Sequence, residues 1–206
     1  MSKLQHLDNM RRNAIINAGL WEFASRQYDD ASTNTIAREA GLSKPLLFHY
    51  INSKKDFFIY LLDYSLELLQ SQYFDLIDYR EHDLLERLQQ TSLLKLRVMQ
   101  QYPLIFDFIK VALLTDSQTV ATEINERKQQ VKEQNMQGFY SDIDESKFAV
   151  GLNAQKCKQL ITWAIAGFSS QILEQVRSSS FGDVDFKRIS DEFDSYLAEL
   201  RKAFYR

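Results

Sequence analysis

The chain contains few of the residues that favour tight turns, with six glycines and two prolines among 206 residues. In an ordinary protein these two residue types make up about 12% of the chain. A sheet-containing fold of this length needs glycine, proline or asparagine at a turn roughly every ten residues. The chain is therefore predicted to be all-α, with few and short connections between its helices.

The composition permits a folded protein and excludes several classes. With 45% hydrophobic residues the chain can bury a core, so general disorder is excluded. The single cysteine, Cys157, excludes an intramolecular disulfide and a cysteine-rich metal centre. The first ten residues are polar, unlike a secretory signal, and the longest apolar run, 163–168, is far shorter than the roughly 18 residues of a membrane span. We expect a soluble cytoplasmic protein.

Charge is distributed unevenly along the chain. The formal net charge of −3 argues against a nucleic-acid partner when the chain is taken as a whole. Residues 1–60, however, contain eight lysines and arginines against six aspartates and glutamates, a net charge of +2, whereas the remainder has 17 against 22, a net charge of −5. This pattern permits a basic N-terminal module on an acidic body, although an excess of two charges also arises by chance.

Hydrophobic periodicity predicts helices along almost the whole chain. Apolar residues at three- and four-residue steps, among them Ile15, Leu20 and Phe23, predict an amphipathic helix over about 3–27. Further helices are predicted over about 33–40, 54–79, 84–100, 118–137, 153–178 and 184–204, with a short one capped by Ser43 and another starting near Pro103.

Residues 33–51 form the motif that points to a function. A capping serine precedes each of its two short helices, and Pro45 is tolerated in the first turn of the second. Ala37 is small enough for the helices to cross closely, and Gly41 lies where a turn of positive φ favours glycine. This spacing is typical of a helix-turn-helix, whose second helix enters the major groove of DNA, although plain helical hairpins also contain it.

The sequence around this motif resembles the TetR-type (TetR/AcrR) transcriptional regulators. The resemblance covers about residues 8–65 and is carried by IINAGLWEFA at 15–24, IAREAGLSK at 36–44 and FHYINSKKD at 48–56. It implies an N-terminal three-helix DNA-binding domain over 1–53 and a C-terminal helical bundle for effector binding and dimerisation over 54–206. It further implies a homodimeric repressor that binds a palindromic DNA operator and is released by a small, largely apolar effector.

The resemblance also implies which residues contact DNA. They are Thr33, Asn34, Lys44, Pro45, Leu46, Phe48, His49, Tyr50 and Lys54. Three of them depart from the family pattern. Phe48 replaces a usual tyrosine and so lacks a phosphate-binding hydroxyl, Leu46 replaces a small or polar residue and suits a thymine methyl, and Asn34 replaces a frequent arginine and favours adenine. We therefore expect an operator half-site rich in A·T pairs.

The helix predicted over 153–178 is apolar around most of its circumference and is expected to be buried on more than one side, and the last helix has a similar apolar stripe. A second copy of the chain would cover them, as the resemblance implies, and so would the other helices of a monomeric bundle. The predicted dimer-interface residues are Ile165, Phe168, Ile172, Phe193, Leu197 and Leu200. The predicted effector-pocket residues are Met99, Tyr102, Phe106, Ile109, Leu113, Phe139, Trp163 and Phe168, although a solid core would contain the same large side chains.

Two other classes of protein stay open. One is an effector-independent DNA-binding or chromosome-associated protein of the same fold, and the other is a helical enzyme or carrier. The three histidines, His6, His49 and His82, are too far apart in sequence for a recognised metal-binding spacing, and no phosphate-binding loop or nucleophile elbow is present. We therefore expect no catalytic residue, no metal and no cofactor.

Overall fold

Nine α-helices account for most of this computed structural model, which describes residues 3–135, 139–178 and 184–206. They are α1 (Asn9–Asp30), α2 (Thr33–Glu39), α3 (Lys44–Ile51), α4 (Lys54–Gln72), α5 (Leu84–Gln101), α6 (Ile105–Leu114), α7 (Ala121–Asn135), α8 (Ala154–Ser178) and α9 (Phe186–Phe204). Extended pairing in these ranges is an isolated antiparallel bridge between Phe148 and Tyr205. None of the described helices is both long and apolar enough to cross a membrane. The prediction of an all-α chain is confirmed.

Helix bounds differ from the predicted ones at several ends. The helix predicted over 3–27 corresponds to α1, which starts later because the Asp8 carboxylate caps its first turn. The helix predicted over 54–79 corresponds to α4 and ends at Gln72. The predicted end near residue 137 lies outside the described residues.

The chain divides into two compact units. The first contains the described residues up to Gln72 together with Gln101–Asn135, and hence α1 to α4, α6 and α7. The second contains Tyr73–Gln100 and the described residues from Phe139 onward, and hence almost all of α5 together with α8 and α9. In the first unit, α4, α6 and α7 thus join the three N-terminal helices in one compact body.

An aromatic cluster occupies the core of the first unit where α1, α4 and α6 meet. The ring centroid of Phe23 lies 5.0 Å from that of Phe58 and 6.4 Å from that of Phe108. The rings of Phe58 and Phe108 meet edge to face at 5.5 Å. All three side chains are fully buried, and a favourable aromatic pair adds about 0.5–1.5 kcal/mol to the gain from burial alone.

Gly19 allows α1 and α4 to approach each other closely beside this cluster. A β-carbon added at Gly19 would lie 2.5 Å from Cε1 of Phe57 and 2.8 Å from Cδ1 of Leu61, both on α4. Glycine inside a helix costs roughly 0.5–1 kcal/mol relative to alanine. Here the missing side chain allows Phe57 and Leu61 of α4 to pack directly on the α1 backbone.

Near its C-terminal end α1 contains a strained residue. Gln27 has φ 60° and ψ −179°, a backbone conformation that is essentially restricted to glycine and that kinks the helix. The last helical residues therefore take a new direction, in which the ring of Tyr28 stacks on Phe23 with a centroid separation of 6.2 Å. The kink attaches the end of α1 to the aromatic cluster.

A buried carboxylate organises the second unit. Asp83 is 2% exposed and accepts hydrogen bonds from the Lys147 ammonium at 2.9 Å, the Arg201 guanidinium at 3.2 Å and the Tyr205 hydroxyl at 3.0 Å. It also caps α5 by accepting from the Leu85 N–H at 2.9 Å. Burial alone raises the pKa of a carboxyl group, but these hydrogen bonds outweigh it and lower the pKa of Asp83 to about 2.

A buried arginine holds two connecting segments against α5. The Arg87 side chain is fully buried. Its guanidinium donates to the backbone carbonyls of Tyr79 and Glu81 in the segment before α5, and to those of Phe139 and Ser141 in the segment before α8. Carbonyl oxygens thus compensate a charge that would otherwise be costly to remove from water. The segments before α5 and before α8 are fixed by one side chain.

Replacing Gln27 with glycine is expected to stabilise the protein. Strain of this kind costs about 1–3 kcal/mol, and glycine adds back roughly 0.5–1 kcal/mol of chain entropy, so the net gain is about 1 kcal/mol and the melting temperature rises by about 2–4 °C. Ser25→Gly, in ordinary helical backbone two residues earlier, is the control and lowers the melting temperature. If Gln27→Gly lowers the melting temperature as much as the control does, the backbone strain at Gln27 is contradicted.

Replacing Asp83 with asparagine is expected to weaken the protein in a pH-dependent way. Because the folded pKa lies below the unfolded value of about 3.8, the ionised group contributes at most about 2 kcal/mol, fully present above pH 4 and lost as the pH falls toward 2. In urea, the free energy of unfolding of Asp83→Asn should therefore be lower than that of the unmodified protein at pH 7. It should also decrease less as the pH falls below 4. Asp78→Asn, which removes an exposed pair with Arg80, should change neither.

Candidate nucleic-acid interface

Two short helices and a tight turn form a helix-turn-helix in the first unit. The hydroxyl of Ser32 accepts from a first-turn N–H of α2, and that of Ser43 does the same for α3, both at 3.4 Å. Gly41 has φ 68°, and the Leu42 N–H donates to the Ala37 carbonyl at 2.8 Å to close the turn. The predicted motif is confirmed, including the positive φ at Gly41.

A buried glutamate that the sequence pattern did not reveal fixes the entry to α2. Glu22 is 3% exposed, and its Oε1 accepts from the Ser32 backbone N–H at 2.8 Å. A carboxylate in α1 thereby determines where the first helix of the motif begins. Glu22 lies within the apolar stripe of α1, so a buried polar residue in an otherwise hydrophobic pattern was the available signal.

The outer face of α3 carries most of the predicted DNA-binding side chains. Lys44, Pro45, Leu46 and His49 are exposed, with Leu46 at 39%. Phe48 and Tyr50 are half-buried, and the ring of Tyr50 meets that of His49 edge to face at 5.3 Å. At the start of α2, Asn34 is exposed and Thr33 half-buried. An exposed apolar leucine beside a lysine and a histidine is an arrangement that can contact both base edges and phosphates.

The two lysines that open α4 are both engaged within the first unit. The Lys54 ammonium donates to the Asp29 carbonyl at 3.0 Å and lies 5.0 Å from the centroid of the Tyr28 ring. The Lys55 ammonium forms an ion pair with Glu123 of α7 at 2.7 Å. This hydrogen bond from Lys55 lowers the pKa of Glu123. Both cations therefore lie at the N-terminus of a helix, where a phosphate would be favoured, but each already has a partner.

Further polar contacts attach α7 and the segment before it to α1 and α4. Arg127 forms a bidentate pair with Asp63 of α4, with both N–O distances at 2.9 Å. The Ser117 hydroxyl donates to the Asp29 carboxylate at 2.8 Å. Neither contact follows from helical periodicity, because each joins residues more than 60 positions apart. They brace the two helices that flank the helix-turn-helix.

The predicted effector-pocket residues are divided between the two units. Tyr102, Phe106, Ile109 and Leu113 belong to the first unit and are half-buried. The other four, Met99, Phe139, Trp163 and Phe168, belong to the second. Of these, Met99 and Phe168 line the same cleft, Phe139 packs against the core, and Trp163 is 64% exposed.

The predicted dimer-interface residues are largely covered within the second unit. Ile172, Phe193 and Leu197 are buried, and Ile165, Phe168 and Leu200 are half-buried. Among the described side chains of α8 and α9, the large hydrophobic ones that are exposed are instead Leu160, Trp163 and Tyr196. Periodicity identified the apolar helices but not the side on which each is covered. Across the described ranges, no group of three His, Cys, Asp or Glu side chains is arranged to hold a metal ion.

Comparison with known proteins assigns the helix-turn-helix region to a family. Residues 15–61 match the model of the bacterial regulatory proteins of the tetR family. Over these residues the chain has the DNA-binding region of a TetR-family transcriptional regulator. Regulators of this family are DNA-binding transcription factors and not enzymes. Among curated proteins, none matches the chain.

Solved structures of TetR-family regulators share the fold over nearly the whole chain. A TetR family transcriptional regulator from Chloroflexus aurantiacus J-10-fl is 17% identical with a TM-score of 0.64, covering 99% of this chain and 97% of its own. The ketosteroid transcriptional regulator KstR2 of Mycobacterium tuberculosis is 21% identical with a TM-score of 0.66, covering 97% of each. AibR in complex with isovaleryl coenzyme A and operator DNA is 16% identical with a TM-score of 0.57, covering 88% and 95%.

Neutralising Glu123 is expected to strengthen DNA binding by this protein. Glu123→Gln removes the carboxylate that pairs with Lys55 and leaves that cation free for a phosphate. Titration of a short duplex of arbitrary sequence should then give a several-fold higher affinity and a salt dependence steeper by up to about 0.9 in the slope of log K against log salt.

Glu126→Gln is the matched control, because it removes the same charge from the same helix. Glu126 is an exposed partner of Arg127 and does not contact Lys55. If both variants change affinity and slope equally, the effect comes from net charge and the role of the Lys55 pair is contradicted.

Proposed function

We propose that this TetR-family regulator is a homodimeric repressor that binds a palindromic operator in the cytoplasm and is released by a small, largely apolar effector. The observation that carries the proposal is the outer face of α3, where Lys44, Leu46 and His49 stand exposed on a capped helix of the motif. Functionally, we assign DNA binding to residues 1–53 and effector binding with dimerisation to 54–206.

The side chains of the motif suggest how the operator is read. Leu46 offers an apolar contact to a thymine methyl, and the Asn34 amide can form the paired hydrogen bonds that adenine accepts and donates. Lys44, Pro45 and His49 complete the groove-facing surface. Thr33 and Tyr50 hold phosphates, and Lys54 does so once a phosphate replaces the Asp29 carbonyl as the acceptor of its ammonium group. Phe48 packs without a hydroxyl to donate. An A·T-rich half-site follows from these residue types.

Homodimerisation is supported by the exposed aromatic and aliphatic side chains of α8 and α9. Trp163, Leu160 and Tyr196 present apolar surface to solvent, and the half-buried Phe168 contacts Tyr196 with ring centroids 5.3 Å apart. A second copy placed against both helices would remove this surface from water. Two helix-turn-helix motifs are also needed, because a single motif buries too little DNA for specific affinity.

Release by an effector requires that the ligand prefer the conformation that binds DNA poorly. In the first unit, the ion pairs Lys55–Glu123 and Asp63–Arg127 connect α4 with α7, so a displacement of α7 acts on the helix that follows the DNA-reading helix. The neighbour AibR was solved with both isovaleryl coenzyme A and operator DNA, which supports a ligand-responsive role by analogy.

Selection of bound duplexes from a random pool tests the proposal directly. We expect an inverted repeat with A·T-rich half-sites, bound as a 2:1 complex of chain and duplex in sedimentation measurements. A selected pool without symmetry, or a 1:1 complex, would contradict the homodimer on a palindrome. An effector-independent DNA-binding protein of this fold would retain its operator with every ligand tested.

Alanine variants separate base reading from phosphate binding on the selected operator. Lys44→Ala and Leu46→Ala should change base preference, with the loss of a specific contact worth about 1–3 kcal/mol at one position. Lys54→Ala should weaken binding to all DNA sequences alike. If all three variants weaken every duplex by the same factor, α3 is not the reading helix.

A further inference from the structure

A short 3₁₀ turn that precedes α1 packs against α3. This N-terminal turn spans Lys3–His6, and the Leu7 N–H donates to the Leu4 carbonyl at 3.3 Å where the turn leads into α1. Within the first unit, α3 packs against the N-terminal turn as well as against α2 and α4. The turn therefore belongs to the body that holds α3, although it lies outside the helix-turn-helix motif.

Leu4 anchors the N-terminal turn. Its side chain is completely buried, whereas the residues on either side of it, Lys3 and Gln5, are exposed. Removal of apolar surface from water is the main favourable contribution to folding. A single leucine thus fixes the turn in place beside α3, and the polar residues around that leucine stay at the surface.

The exposed side of the N-terminal turn carries two nitrogen donors. A 3₁₀ helix has three residues per turn, so side chains three positions apart lie one above the other. Lys3 and His6 therefore share one side of the turn, and both are exposed. The next carboxylate along the chain, that of Asp8, already interacts with Arg11 of α1 at 3.8 Å. This side of the turn presents an ammonium group and an imidazole to solvent.

The packing of the turn against α3 limits what these two side chains can reach. An α-helix with its side chains is about 10–12 Å wide, and the major groove of DNA is about 12 Å wide. A helix that occupies the groove leaves no room for a second element beside it. An element packed against that helix therefore lies at the edge of the groove, where the phosphates run, and donors at this position meet phosphate oxygens before base edges.

We propose that the N-terminal turn is a second DNA-binding element of this protein. Leu4 anchors the turn beside α3, and Lys3 and His6 bind backbone phosphates at the edge of the groove that α3 occupies. This inference rests on the proposed function, because it requires α3 in the major groove. Contacts of this kind add affinity for every DNA sequence and fix the orientation of the reading helix on the duplex.

Removal of the Lys3 charge tests the phosphate contact in the full-length protein. Lys3→Gln should weaken binding to the selected operator and to a duplex of arbitrary sequence by the same several-fold factor. The slope of log K against log salt should become shallower by up to about 0.9 for each bound copy of the chain. His6→Ala should also weaken both duplexes by one common factor.

Lys110→Gln is the matched control, because it removes the same charge from an exposed position of the same unit. Lys110 lies on α6, which packs against α1, α4 and α7. This variant should leave both the affinity and the salt slope unchanged. If Lys3→Gln and Lys110→Gln have equal effects, or if the loss in Lys3→Gln is confined to one sequence, the phosphate contact is overturned.

A double-mutant cycle tests Leu4 as a positioning residue. Leu4→Ala should release the turn from α3, so that the salt slope falls by the same amount as in Lys3→Gln. Adding Lys3→Gln to Leu4→Ala should then cost no further affinity. Leu4→Met, which nearly conserves the side-chain volume, should retain both affinity and slope. Additive losses in the double variant, or a full salt slope in a Leu4→Ala protein that is folded by circular dichroism, would overturn the anchoring role.

Lys44→Ala, measured on the same duplexes, separates this inference from the proposed function. If Lys44→Ala changes base preference while Lys3→Gln and His6→Ala bind like the unmodified protein, only the inference about the N-terminal turn fails. If the unmodified protein binds no duplex, the proposed function fails and this inference fails with it. A sequence-dependent loss in Lys44→Ala together with a sequence-independent, salt-sensitive loss in Lys3→Gln supports both.

Discussion

The packing of Phe23 against Phe58 and Phe108 is the interaction on which the first unit depends. These rings come from α1, α4 and α6, so the cluster joins the helix before the DNA-reading motif, the helix after it and a helix from the middle of the chain. The helix-turn-helix itself has only a small core, with Ile36, Ala37, Leu47 and Ile51 buried. Its orientation is therefore set by the larger aromatic core beside it.

Much of the fold and of the DNA-binding motif could be predicted from the sequence, because both rest on local rules. Scarcity of turn residues gave the helical class, and the capping serines with Gly41 located the short helices. Long-range polar contacts could not be predicted in this way. The pairs Lys55–Glu123 and Asp63–Arg127 join distant segments, and no local pattern tells which partner a surface charge will find.

The C-terminal helices show a second limit of periodicity. An apolar stripe reports that a face is covered, but not whether the cover is the same unit or another molecule. Phe193 and Leu197, expected at a dimer interface, are buried inside the second unit, whereas Trp163, expected in a pocket, is exposed. The buried Arg87 had no sequence signal either, because its partners are backbone carbonyls of segments without regular structure.

The contact at Gly19 has a consequence for how such a regulator can move. Because Phe57 and Leu61 rest directly on the α1 backbone, no side chain of α1 is present there to change rotamer and absorb a displacement of α4. Sliding of α4 along α1 would require the backbones to separate first. Under the proposed effector response, a shift of α4 would therefore be passed to α1 as a rigid-body rotation, which would alter the angle at which α3 is presented and leave its internal shape unchanged.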